Sequence, residues 1–269
     1  DLLVSPWYLS LEKIELTLVE LNKLKELSPT LQNESLTSQQ KTKTLTEEFE
    51  ELKAVIDTSK QGKVRFNRST THVIDLLKSH GINAKPVCDL ASINDEEWQI
   101  SIESFLRSNR EALVISAQDY SHALKLYRQE KSRHKHIRQV KLINPDKGFG
   151  FEGTPDPNSA ASLIESDNPV ALKFLRGLLH NVKLVETEEE LRHEKRAISR
   201  DGMIAGSGAI SGGGKPIDTI MLGIEARKKH ALALQEKMQL IAPRLAEAQN
   251  KDLVFKSLVN EFIPSITTT

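Results

Sequence analysis

The 269-residue sequence predicts an α/β (α+β) domain of two similar subdomains held between two helical arms. Three observations predict it. Apolar residues recur at steps of three and four near both ends, as on one stripe of a helix. The middle alternates short β-rich runs with amphipathic helical segments. One helix–turn–strand–helix unit occurs twice, its Phe-Leu-Arg triplets 69 positions apart. The arms occupy 1–61 and 216–269, the subdomains 62–145 and 146–215.

In the first arm, Leu11, Ile14, Leu18, Leu21, Leu24, Leu27 and Leu31 form the stripe. Pro29 is expected to interrupt it, because proline lacks a backbone N–H and its ring crowds the preceding turn. A polar stretch, QNESLTSQQKTKT, precedes a second stripe of Leu45, Phe49, Leu52 and Ile56. The arm therefore reads as helical with a break.

Between the arms, Thr70 to His80 is an amphipathic helix stopped by Gly81, a common C-terminal signal. Glu96 to Arg107 is a second, with Trp98, Ile102, Phe105 and Leu106 on one side and Asp95 as its cap. ALVIS (112–116) and QVKLI (139–143) read as strands around a helix from Ala117 to Tyr127. NPDKGFGFEGTPDPN (144–158) is a loop by its Pro, Gly, Asn and Asp content. The order then recurs: SFLRSNREALVISAQDYSHAL (104–124) parallels KFLRGLLHNVKLVETEEELRH (173–193), which points to an internal duplication.

RAISRDGMIAGSGAIS (196–211) reads as strand, Asp-Gly turn, strand, since both positions of such a turn need φ > 0. GSGAISGGGKP (206–216) then holds five of the thirteen glycines. A phosphate-binding loop is G-x-x-x-x-G-K-[ST]; here Ala209 stands at the first glycine position and Pro216 replaces the hydroxyl that ligates Mg²⁺. From Ile217, alternating steps of three and four give Ile220, Ile224, Arg227, Ala231, Leu234, Met238, Ile241, Leu245, Ala248, Asp252, Phe255 and Val259. This is a heptad seam that only Arg227 and Asp252 break. Pro216 suits a first helical turn, and Pro243 is expected to kink the helix.

Thirty-seven basic residues balance thirty-seven acidic ones, so an argument for nucleic acid must rest on local clustering. Lys125, Arg128, Lys131, Arg133, Lys135, Arg138 and Lys141 fall within seventeen residues with only Glu130 against them. A second cluster comprises Lys195, Arg196, Arg200, Lys215, Arg227, Lys228 and Lys229. Such groups neutralise phosphates without reading sequence. No aromatic ladder accompanies them, which argues against a stacking platform for single strands. The lone Cys88 excludes an intramolecular disulfide and fits a reducing compartment. No apolar run reaches membrane-spanning length and no charged-then-apolar leader opens the chain; an early helix signal after Asp1 points to a piece of a longer protein.

No catalytic or metal site is read from the residues, and no cofactor. Ser207 lacks the strand–turn–helix elbow of hydrolases. His134 and His136 lie two apart with no carboxylate or further histidine placed beside them, so a solvated basic face is expected. Asp95, Glu96, Glu97 and Glu188 to Glu190 sit at helix starts, where the dipole favours negative charge.

Helical arm, duplicated α/β core, Gly-rich hairpin and returning arm together resemble the hinge of SMC-family proteins with stubs of their antiparallel coiled coil. VCDLASINDEEWQISIESFLRSNREALVISAQDYSHALKLYRQEK is similar to the first hinge subdomain. NPVALKFLRGLLHNVKLVETEEELRHEKRAISRDGMIAGSGAISGGG is similar to the second. Within the superfamily the CDL…DEEW…FL…REALVIS run most resembles the SMC-like subunit of bacterial Wadjet plasmid-defence systems, relatives of condensin. The chain departs from the common pattern in lacking a proline in the Gly-rich stretch and in a longer basic segment before Val140.

The resemblance implies a homodimer through the hinge, with Gly202, Gly206, Gly208, Gly212, Gly213 and Gly214 at the interface. Leu113, Val114 and Ile115 would line the partnering surface. It further implies weak double-stranded DNA contact near the arms, and an ATPase, kleisin and accessory subunits associated with other parts of the parent chain in the bacterial cytoplasm. A related zinc hook is excluded, since it needs C-x-x-C from each chain. Two other readings stand: a small α/β enzyme or module binding a phosphorylated ligand at the Gly-rich loop, and a coiled-coil scaffold with an inserted domain.

Overall fold

The computed structural model describes residues 6–147, 149–212 and 219–262, with side chains from 26 to 260 within those ranges. The stripe from Leu11 to Leu24 lies outside the described side chains. The chain divides into two compact units, residues 1–54 with 234–269, and residues 55–233.

Helix α1 (Pro6–Lys60) is continuous, so neither Pro29 nor the polar stretch breaks it. A proline forfeits a single backbone bond, and the turns on either side remain helical. The polar stretch belongs to the seam. Ser35 and Ser38 are buried and Thr42 half-buried, so positions 31, 35, 38, 42, 45, 49, 52, 56 and 59 keep alternating steps of four and three. Small hydroxyl residues took the place of leucine there, which hid the register from a count of apolar residues.

Helix α2 (Arg68–Ser79) follows, then β1 (Lys85–Pro86), β2 (Ser92–Ile93), α3 (Glu96–Leu106) and β3 (Leu113–Val114). Helix α4 (Ala117–Arg133) precedes a 3-10 turn over Lys135–Gln139 and β4 (Leu142–Ile143). After the loop come β5 (Ile164–Glu165), α5 (Pro169–Leu179), β6 (Lys183–Val185) and α6 (Glu188–His193). Strands β7 (Ala197–Ser199), β8 (Ile204–Gly206) and β9 (Ala209–Ser211) lead to helix α7 (Ile224–Ser257).

Each internal helix starts where a polar side chain satisfies orphan N–H groups. Asn67 accepts from Thr70, Asp95 from Glu97, Ser116 from Asp119, and Asn168 from Val170 and Ala171. Thr187 and Glu190 form a reciprocal capping box. Of the acidic residues at the starts of α3 and α6, Asp95 and Glu190 act in these caps, while Glu96 and Glu97 pair with Lys229 and Arg200.

In the first unit α1 and α7 run antiparallel. Leu45, Ile241, Leu245 and Ala248 are buried together with Phe49 and Leu52 against them. The Thr42 hydroxyl donates to the Ala248 carbonyl at 3.1 Å, where two small residues meet, and Lys237 pairs with Glu48 at 3.7 Å. Pro243 lies inside α7, which continues past it. The heptad register holds from Arg227: Ala231, Leu234, Ile241, Leu245, Ala248 and Phe255 are buried. Ile224, where α7 begins, is 49% exposed, and Ile217 lies outside the described residues. Both polar residues of the seam are also buried, Arg227 at 1% and Asp252 at 7% exposure. Asp252 reaches Lys256 at 2.8 Å.

In the second unit the duplicated segments fold alike: α3–β3–α4 and α5–β6–α6, each strand followed by a parallel neighbour, β4 or β7. β1 adds to β3 antiparallel, giving the order β1-β3-β4, and the other sheet runs β6-β7-β8-β9. Three clusters fill this unit. One is local to 73–140 and includes Val73, Leu77, Leu113, Ile115 and Ile137. Another is local to 185–205. The largest draws Trp98, Ile102 and Leu106 together with Ile164, Leu175, Ile198 and Leu222, so it spans both sequence-defined subdomains. The β2–β5 pair, Ile93 opposite Ile164, crosses the same boundary.

Candidate functional site

The Gly-rich segment forms two consecutive hairpins. At the first, β7 to β8, only Gly202 has positive φ, 87°. Its N–H donates to Ser199 O at 3.0 Å, and the Ser199 N–H to Met203 O at 3.0 Å. The Asp-Gly pair therefore does not supply a turn with two positive φ values; glycine alone fills the left-handed position of a longer loop. At the second, β8 to β9, Ser207 and Gly208 have φ of 54° and 77° between the paired residues Gly206 and Ala209. The turn chemistry expected at Asp-Gly occurs at Ser-Gly.

β9 ends the sheet. Ala209, Ile210 and Ser211 are exposed, Ile210 at 47%, and among the described residues one edge of the strand has no neighbour in the sheet order. Beside it lies a depression of about 640 Å³ lined by Leu191, Arg192, Lys195, Gly206, Gly208 and Ile210, among others. Gly212 follows β9 and Gly206 lies on β8 opposite Ala209; neither has positive φ, and a Cβ added at either would meet no described atom within 4 Å. Packing within the described chain thus does not require glycine at these two positions. Gly213, Gly214 and Lys215 lie outside the described residues.

Leu113, Val114 and Ile115 do not belong to a surface. They are 0%, 8% and 1% exposed and are divided between two cores. β3 is moreover the middle strand of its sheet, so its backbone is occupied on both sides. A β-rich apolar run reads the same whether it faces a partner or its own core.

Arg227 is likewise not available to DNA. Its guanidinium donates to the carbonyls of Met221 and Cys88, to Gly62 O at 2.7 Å, and lies 2.9 Å from Asp89 Oδ1. Facing it is a buried carboxylate that no sequence pattern singles out. Glu103, with no exposed side chain, accepts from the N–H of Met221 (2.9 Å) and Leu222 (2.9 Å), from Gln99 (2.6 Å) and from Arg110 (2.7 Å). These two residues fix the segment that enters α7. That segment is not helical at 219–223, whereas a phosphate-binding loop opens a helix directly at its lysine.

The two basic clusters differ in their surroundings. Arg128 and Lys131 on the exposed side of α4, Arg133 at its end, and Lys135 and Arg138 on the next turn are all exposed. The second cluster is largely paired. Arg196 bonds Asn181 and lies over the Phe105 ring, Arg200 bonds Glu97 and Glu186, Lys228 bonds Glu225, and Lys229 bonds Glu96. Lys195 is exposed. Pairing with acidic partners lowers the charge such residues can offer a phosphate.

His134 and His136 have the neighbours the sequence did not place beside them. Glu130 is one helical turn before His134, and His72 comes from α2. His72 Nε2 is 2.8 Å and His134 Nε2 3.3 Å from Glu130 Oε1. The His136 ring centroid lies 5.2 Å from that of His72 and 5.7 Å from that of His134. The hydrogen bond from His72 holds the Glu130 carboxyl below the ordinary range. A gap of 58 residues separates His72 from Glu130, so only the packing of α2 on α4 brings them together.

Cys88 is buried and free. Burial, and secondarily the adjacent Asp89, push its thiol well above the ordinary value. Among the described residues no helix is long and apolar enough to cross a membrane.

No family model matches the chain, and no curated protein matches it. Among solved structures it is similar to the Pyrococcus furiosus Smc hinge domain with an extended coiled coil, at 17% identity over 95% of each chain and a TM-score of 0.41. It is also similar to an asymmetric dimer of the Geobacillus stearothermophilus SMC hinge domain, at 15% identity over 92% of this chain and 100% of that one, TM-score 0.44. A third similarity is to the Pyrococcus furiosus SMC hinge domain, at 23% identity over 64% of this chain and 97% of that one, TM-score 0.42.

Proposed function

We propose that this segment is a dimerisation hinge with the adjoining antiparallel coiled coil, part of an SMC-like, DNA-handling ATPase, and that the parent belongs to a condensin-like plasmid-defence complex of the Wadjet type. The observation that carries the dimerisation reading is the free edge of β9. An exposed strand is a template for pairing, and Gly212, just after β9, keeps a side chain out of the way of an approaching backbone. Ile210 offers an apolar contact in the middle of that edge. The antiparallel α1–α7 pair supports the reading, because a hinge must return the chain along the path by which it arrived.

On this reading the segment acts by association and not by chemistry, the ATPase and the kleisin contacts belonging to other parts of the parent. Double-stranded DNA is met weakly and without sequence preference by Arg128, Lys131, Arg133, Lys135 and Arg138; among the described residues only Arg133 of these has an acidic partner, Glu130 at 4.0 Å, which favours them over the paired second cluster. The absolute mass of the chain in solution, for the wild type and for Ile210→Glu, tests the proposal. A dimer that the added charge dissociates is the expected result.

A further inference from the structure

We infer that His72, Glu130 and His134 form a binding site for a transition-metal dication of the zinc type, with His136 as the fourth ligand. The first three offer ligand atoms that all lie within 4.8 Å of one another. A tetrahedral ion with metal–ligand distances of about 2.0–2.1 Å sets its ligand atoms roughly 3.3 Å apart. The two contacts to Glu130 Oε1, 2.8 and 3.3 Å, already have that length or less. The His72–His134 edge has to accommodate, and the His136 ring, which lies outside that group of three, has to swing in, both through side-chain rotation.

The donor set selects the metal. Imidazole nitrogens with one carboxylate suit Zn²⁺, Co²⁺, Ni²⁺ and Cu²⁺, whereas Ca²⁺ and Mg²⁺ require oxygen cages. Both histidines already direct Nε2 at the same carboxylate oxygen, so the imidazoles converge before any ion arrives. Glu130 is in the last turn of α4 and His134 is the residue that ends it, its backbone N–H donating to the Glu130 carbonyl at 2.8 Å. His136 is held nearby because the Ser69 hydroxyl of α2 donates to its backbone carbonyl at 3.0 Å. Partial exposure, 29% for His72, 13% for Glu130 and 46% for His134, leaves the site open to solvent.

An ion there would clasp the end of α4 to α2 and fix the turn that carries Lys135 and Arg138. Without metal, the same four groups hold together only through hydrogen bonds and ring contacts.

The test uses the whole chain, stripped with a chelator and desalted, then titrated with Zn²⁺ against a chromophoric zinc indicator. One equivalent per chain is expected, and the visible bands of Co²⁺ should have the high intensity of four-coordination. His134→Gln and Glu130→Gln, at positions where a change of side chain leaves the core intact, should each weaken binding by roughly tenfold or more, with circular dichroism confirming the fold. His136→Gln should alter the Co²⁺ spectrum. Absence of saturable Zn²⁺ binding at tens of micromolar, or binding equal in wild type and the folded Glu130→Gln and His134→Gln variants, overturns the site. An unaltered Co²⁺ spectrum in His136→Gln removes that residue from it.

Discussion

Glu103 and Arg227 grip opposite sides of Met221: Glu103 accepts from its N–H at 2.9 Å, and the Arg227 guanidinium donates to its carbonyl. The same guanidinium reaches Gly62 O at 2.7 Å. It therefore ties Gly62, two residues past the end of α1, to the residues that lead into α7, and the chain is closed at the point where it enters and leaves the core.

Arg227→Ala would leave the Gly62, Cys88 and Met221 carbonyls without this donor and Asp89 without its partner. Asp89 is 40% exposed and water can replace its partner, so the loss comes from the carbonyls left without their donor, about 1–3 kcal/mol. Urea unfolding followed by circular dichroism should show a loss of that size. A loss below about 1 kcal/mol, the range of exposed ion pairs, would contradict the assigned role.

Much of this clasp is legible in the sequence as a position without a reason. Arg227 falls on the heptad seam, but as a charged break in it the sequence reading assigns it to the phosphate-neutralising cations, whereas it is buried. What a linear pattern lacks is the set of carbonyls that make a buried guanidinium tolerable, since they come from positions 62, 88 and 221. The same limit explains Glu103 and His72, whose partners are distant in sequence. Helix caps and the repeated helix–strand unit are readable because their determinants are local. Pro29 and Ser35 to Thr42 mislead for the opposite reason: each is locally unfavourable or ambiguous, and the long helix carries them. The β-rich run at Leu113 is readable as a strand but not as a central one, because burial by a partner and burial by the core select the same residues.

Cys88 gives a separate check on the core around this clasp. Its thiol is buried and disfavours the thiolate, the reactive form. The native protein should leave Ellman's reagent unreacted, and one equivalent should react after unfolding in urea. Reaction of the native protein at the rate of a free thiol would show that the core opens at Cys88.

The basic surface on α4 should differ in function from the one near α7. Lys135→Glu with Arg138→Glu should weaken binding of a labelled double-stranded DNA in fluorescence anisotropy. It should also flatten the dependence on salt by roughly one unit of slope for each phosphate that is no longer neutralised. Lys229→Glu, whose native ammonium is paired with Glu96, should change binding less. Equal effects of the two sets would contradict the distinction between exposed and paired cations.

Pairing of β9 with a second copy of the chain is tested most directly by mass in solution, from light scattering on a sizing column. Gly208 is a poor probe, since its φ of 77° makes any side chain there strained regardless of a partner. Gly212→Glu and Ile210→Glu avoid that, one adding a charged side chain just past β9 where a Cβ meets open space and the other placing charge on the exposed strand. The expected result is a wild-type mass of twice 30.2 kDa and a single-chain mass for both variants with their circular dichroism unchanged. A wild type that stays at 30.2 kDa at tens of micromolar, or a dimer that survives Ile210→Glu, would contradict the pairing.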